Sequence, residues 1–267
     1  MMKDPRHSTG TPKSVIERSL AATLLPMVLS LTAGSVDVIG FLGLGGLFTA
    51  HVTGNLVILA AHVVASDEAP FALIISVPVF IVVLGVTRLL AAGLERMHVA
   101  SLRPLLLLQF LLLVGFLALC VGGGPRLDVN SSKATVAGML GVSAMAVQNA
   151  LVQISLKESP STAVMTTNIT RFMMDLGEAL LGPSRNDRMN AGERARRTGL
   201  AIGGFVVGCG VGAGYQAIAG LWSLALPAGL ALVALAMAVA AKAETSPQLG
   251  ASDRVSASRT TSNAGAV

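Results

Sequence analysis

Asp37 is the first residue of this chain that elementary chemistry singles out. It is the only ionisable side chain in the apolar run 20–42, and a carboxylate inside such a run must be neutralised, paired or hydrated. Two readings stand. One is a proton or cation site, and the other is a structural carboxyl hydrogen-bonded to a neighbouring helix. Shortly after it, Thr53-Gly54-Asn55 interrupts a second apolar run. Gly permits unusual dihedrals, and the Thr and Asn side chains can satisfy the backbone groups that a broken helix frees. Such a break either lines a solute site or forms an interhelical hydrogen-bond cluster.

Further along, Gln148 and Asn149 place two amides in the middle of an apolar run. Thr166, Asn168, Arg171 and Asp175 crowd a third polar stretch. Arg171 and Asp175 are four residues apart, so on a helix they share a face and are expected to pair. Taken together, Asp37, Thr53, Gly54, Asn55, Gln148, Asn149, Thr166, Asn168, Arg171 and Asp175 read as the lining of a polar path. His51 is as much a structural as a functional candidate, and His62 completes no H-E-x-x-H or similar ligand set. Cys120 and Cys209 are isolated thiols that read as small buried hydrophobes. No catalytic constellation, metal site or cofactor motif is expected, and the chain does not read as an enzyme.

The elements that must position these residues follow from composition. Hydrophobic residues make up 53% of the 267 residues and charged residues only 12%, with a mean hydropathy of +0.72. Several runs approach the ~20 apolar residues that cross a bilayer, which excludes a soluble or largely disordered chain. The net charge of +5 gathers in the tails and a few loops, where it reads as a topology signal facing lipid rather than nucleic acid. Eight apolar segments can be marked, at 20–42, 49–65, 71–92, 104–123, 134–156, 162–181, 199–219 and 222–241. The second and sixth are too short or too polar to span comfortably. In the seventh, Gly204, Gly208 and Gly212, and likewise Gly210 and Gly214, repeat at four-residue spacing and read as a close-packing face.

Laying the two odd segments over each other exposes an internal repeat. Thr49-Ala50-His51-Val52-Thr53-Gly54-Asn55-Leu56 aligns with Thr162-Ala163-Val164-Met165-Thr166-Thr167-Asn168-Ile169 at an offset of 113, and the same offset carries 20–42 onto 133–155. The third and fourth segments match the seventh and eighth if 183–198 is a longer loop. Leaving out Arg171, which lies within a segment, six spans put sixteen Lys and Arg inside and only Arg126 and Lys133 outside, whereas eight spans put fourteen inside and four outside. The expected fold is therefore an all-α polytopic membrane protein of about six transmembrane helices plus two broken or re-entrant segments, built from an inverted repeat. Its parts are a disordered cytoplasmic N-tail at 1–19, a first membrane repeat at 20–123, a second at 134–241 and a disordered C-tail at 242–267.

The run from Gly34 to Asn55, with an intramembrane Asp, a Phe41-Leu42 step, the glycines Gly40, Gly43, Gly45 and Gly46, and Thr53-Gly54-Asn55, resembles the opening signature of the YoaK family of uncharacterised bacterial integral membrane proteins. Gln148-Asn149-Ala150 and the Thr-rich stretch from Thr162 to Thr170 are similar to its second hallmark. Thr167 stands where the family places Gly, which leaves a sharp backbone break at that point open. The resemblance covers about residues 20–240. It implies a multi-pass protein of the bacterial cytoplasmic (inner) membrane and brings no substrate with it.

The function expected is transport or channelling of a small polar or ionic solute between the two repeats, with both termini cytoplasmic. The alternative is a non-transporting accessory or assembly protein whose polar residues serve helix packing. The partners are the lipid bilayer and the solute, without nucleic acid, and assembly with further copies is compatible with either reading.

Overall fold

The computed structural model describes residues 12–66, 69–122, 127–157 and 159–243. The described residues form eight α-helices and no strand: α1 Pro12–Gly43, α2 Val52–Ala65, α3 Phe71–Arg96, α4 Leu102–Val121, α5 Ser132–Ser155, α6 Met165–Leu181, α7 Arg185–Ala219 and α8 Ala225–Ala243, the last two joined by a 3-10 turn at Gly220–Leu224. Helices follow from the apolar composition, because a chain in hydrocarbon must satisfy its backbone groups internally.

Among the described residues five stretches are long and apolar enough to cross a membrane. The last, Arg185–Ala241, runs through both α7 and α8. By contrast α2 has 14 residues and α6 has 17. At 1.5 Å per residue they reach only about 21 and 26 Å against a hydrocarbon core of about 30 Å.

Two expectations need correction. Residues 183–198, read as a loop, are helical from Arg185 onward. Ser184 caps this helix by accepting the Asp187 N–H at 3.1 Å, and Glu193 takes Arg196 at 3.0 Å and Arg197 at 2.9 Å one turn on. Residues 12–19, read as tail, belong to α1. The rest of the N-tail, 1–11, and 244–267 of the C-tail lie outside the described residues, so the disorder expected there does too.

Helix directions settle how the bundle is wound. Along α1 and α7 the contacts advance together: a Cβ on Gly204 would meet Met27 O at 2.7 Å, one on Gly208 the Leu31 carbonyl, and one on Gly212 Ser35 Cα at 3.0 Å. These two helices are therefore parallel and packed backbone to backbone, which only Gly allows. A Cβ at Gly210 or Gly214 would meet nothing within 4 Å, so the second half of the expected glycine face packs on nothing among the described residues. Helices α4 and α8 are antiparallel, since Arg103 at the start of α4 donates to Ala238 O near the end of α8 at 3.0 and 3.1 Å. Helices α1 and α5 are antiparallel as well. Leu25 and Leu29 share a core cluster with Val147, Leu151 and Val152, while Val36 and Ile39 share one with Ala137 and Ala144.

An eight-span winding would make both of those pairs parallel, so the observed directions are those of six crossings. The path of α2 agrees. A Cβ built on Gly45, just past α1, would stand 3.5 Å from Val129, between α4 and α5, and 3.6 Å from Pro70, just before α3. The chain thus leaves α1 and begins α3 at the same end, with α2 turning back between. Each principal packing pair also has a mate when α1–α4 are exchanged for α5–α8. Contacts of α1 with α7 correspond to those of α5 with α3, α4 with α5 to α8 with α1, and α2 with α3 to α6 with α7.

Candidate functional site

Asp37 sits six residues before the end of α1. Beyond Gly43 the chain reverses at Gly45 and Gly46, whose φ angles of 64° and 84° suit glycine, and it runs back along α1. That return brings 48–51 to the level of Asp37, which is 4% exposed. One carboxylate oxygen, Oδ1, accepts the backbone N–H groups of Thr49 at 2.8 Å, Ala50 at 2.7 Å and His51 at 3.3 Å. The other, Oδ2, lies 2.8 Å from His51 Nδ1. His51 is the N-cap of α2 but supplies no side-chain cap. Asp37 does that work from another helix, accepting the amides that the start of α2 leaves free.

Asn55 holds the same loop from the other side. Its Oδ1 accepts Phe48 N–H at 2.8 Å, and its Nδ2 donates to Phe48 O at 2.8 Å and to Ser76 Oγ at 3.0 Å. Thr53 and Gly54 lie in the first turn of α2, so the backbone interruption falls at 44–51 and not at Thr53-Gly54-Asn55. Thr53 is exposed. Gly54 is where the Phe48 ring packs, 2.9 Å from where a Cβ would stand.

In the second half, Asn168 donates to Ser161 O and lies 3.8 Å from Met165 Sδ. Ser161 Oγ accepts Ala163 N–H at 3.4 Å and Val164 N–H at 3.1 Å, and so serves two of the amides that correspond to those held by Asp37. Gln148 joins three elements: it donates to Leu29 O at 3.0 Å and Thr162 Oγ1 at 2.9 Å and accepts from Gln109 Nε2 at 2.6 Å. Asn149 stays apart, bonding back to Met145 O at 3.0 Å, and Thr166 is exposed. Gln109 Oε1, Asn168 Oδ1 and Ser30 Oγ are buried without a hydrogen-bond partner among the described residues.

The expected Arg171–Asp175 pair does not form. Arg194 on α7 reaches Asp175 at 2.8 Å and Glu178 at 2.7 Å, its planar fork spanning two carboxylates one turn apart on α6. Arg171 is left exposed. The ten candidate residues thus separate into a buried loop-holding cluster around Asp37 and Asn55, a second around Gln148 and Asn168, a charged cluster at Asp175, and the outliers Thr53, Gly54, Asn149, Thr166 and Arg171. Sequence reasoning passed over Ser76, Gln109, Ser161 and Arg194. Only Ser161 carried a signal, standing opposite Phe48 at the offset of 113. Among the described residues no three His, Cys, Asp or Glu side chains converge as a metal-ligand set.

A family described as protein of unknown function (DUF1275) matches residues 25–237. The UPF0700 transmembrane protein YoaK of Bacillus subtilis (strain 168) is 65% identical over 37 residues, a stretch covering 14% of this chain and 16% of that protein. No solved structure matches.

Proposed function

The chain belongs to the DUF1275 family and is an integral membrane protein, and we propose that it is a transporter or channel for a small polar or ionic solute. The observation that carries this reading is the pair of inward-dipping segments, 44–51 and 159–164, each followed by a helix too short to cross. They resemble the discontinuous helices that form midplane sites in transporters. An inverted internal duplication is supported by the mated packing pairs and by Asn55 and Asn168 making the same contact. Under it the two dips approach from opposite faces of the bacterial inner membrane, and the basic-residue count puts both termini in the cytoplasm. The solute passes between the halves, and the protein works without catalysis.

Flux tests this. Purified protein in proteoliposomes, challenged with a panel of labelled small ions, amino acids and organic acids, is expected to move at least one class faster than protein-free vesicles. A panel without flux, from protein that remains folded, rejects transport.

A specific observation favours the accessory reading as well. The polar groups of the Asp37 cluster are bonded mainly to one another and to backbone, as expected of side chains that hold a shape. That reading calls for a stable complex with another membrane protein and no flux.

A further inference from the structure

Where α5 ends, the second dip leaves a cavity of about 340 Å³ whose polar lining is Gln153, Lys157, Ser159, Ser161, Thr167 and Arg171. A second chamber of about 190 Å³ shares Lys157, Ser159 and Arg171 and extends toward α7. Arg194 and Arg197, which line the second chamber, are committed to Asp175, Glu178 and Glu193. Among the described residues Lys157 and Arg171 have no ion-pair partner and no carboxylate lines the first chamber. Ser161 adds a directed donor. Its Oγ already accepts two backbone N–H groups, so its own proton is left to donate, and Asn168 pins its carbonyl in place.

We propose that this chamber binds a phosphate group. Two positive charges, one of them a planar guanidinium, stand among hydroxyl and amide donors at a pre-set loop, and that is the complement of a tetrahedral oxyanion. The phosphate belongs either to a free anionic solute or to a lipid headgroup. In the first case the site names the solute class of the transport reading and rests on that reading. Glu158 is the acidic neighbour in the chain and lies outside the described residues, so it enters the test.

The experiment is equilibrium binding of labelled inorganic phosphate to the full-length protein in phosphatidylcholine nanodiscs, with chloride holding ionic strength. Wild type is expected to bind saturably. Arg171→Gln and Lys157→Gln are each expected to weaken binding at least tenfold while eluting as the same monodisperse species, and Arg171→Lys to retain part of it. Glu158→Gln is expected to leave binding equal or tighter. In parallel, native mass spectrometry after incubation with phosphatidylglycerol records retained lipid. Retention by wild type and loss from Arg171→Gln, without phosphate binding, upholds the phosphate site and assigns it to a headgroup. Neither ligand binding, or binding indifferent to both basic residues, overturns the proposal. Phosphate binding without flux upholds it and counts against transport, whereas flux of a cation with neither ligand bound does the reverse.

Discussion

Asn55 and Asn168 stand 113 residues apart, and each donates its side-chain amide to the backbone carbonyl seven residues upstream, that of Phe48 in one half and of Ser161 in the other. The two are not equally embedded. Asn55 also accepts from Phe48 N–H and reaches Ser76, whereas the Oδ1 of Asn168 has no partner among the described residues. Removing a side chain that satisfies several buried groups strands all of them. Asn55→Ala is therefore expected to cost about 2–4 kcal/mol and Asn168→Ala about 1 kcal/mol. Thermal unfolding of the purified variants in one detergent checks the order. Equal losses, or a larger loss at Asn168, would show that the matching contacts do not carry the stability assigned to them.

The helices were legible because a bilayer writes length and apolarity into sequence, and the marked segments differ from the observed helices mainly at their polar ends. Asn55, Asn168 and Asp37 stood out for the same reason, as polar groups in hydrocarbon. Their partners were not legible. Asp175 pairs with Arg194, 19 residues away across two helices, because packing of α6 on α7 brings the longer reach into register, while Arg171 on the same helix does not meet it. The position of the break was also hidden. Thr53-Gly54 has the composition of an interruption, but Asp37 caps the amides just before it and thereby starts a helix there. The reversal itself falls to Gly45 and Gly46.

Asp37 separates shape from charge. In Asp37→Asn the remaining carbonyl can still accept from Thr49 and Ala50, and the His51 ring can switch tautomer to accept the new amide, so the expected cost is about 1–2 kcal/mol. Asp37→Ala strands three buried N–H groups and is expected to cost about 3 kcal/mol or more, read as folded protein surviving a heating series. If the charge also serves transport, Asp37→Asn loses flux in proteoliposomes while the protein stays folded. Flux equal to wild type would leave Asp37 as a cap alone.

The parallel contact of α1 and α7 offers an internal control, because Gly208 and Gly210 lie two residues apart on different faces. A Cβ at Gly208 runs into the Leu31 carbonyl, which cannot move without shifting the helix, whereas one at Gly210 meets nothing within 4 Å. Gly208→Ala is expected to destabilise by about 3 kcal/mol, the upper end for overpacking. Gly210→Ala is expected to be neutral or to stabilise by up to about 1 kcal/mol through helix propensity. Melting temperatures of the two variants decide this. Sensitivity at Gly210 instead would point to a second chain seated on that face.

The six-crossing arrangement stands or falls on the loop after α2. Ser66 ends that helix in the left-handed region, with φ 57°, and it is exposed. Because α1 leaves and α3 begins at the end where Gly45, Pro70 and Val129 meet, Ser66 belongs to that end, which the basic-residue count places outside. Cysteine at position 66, with Cys120 and Cys209 replaced by Ala, is therefore expected to react with a membrane-impermeant thiol reagent in intact cells, and a cysteine at the exposed Ala100, between α3 and α4, only after lysis. The second position guards against a leaky membrane. The reverse pattern, with position 66 protected and the second position reacting from outside, would overturn this arrangement, because it is what eight crossings or an inverted six-crossing chain gives.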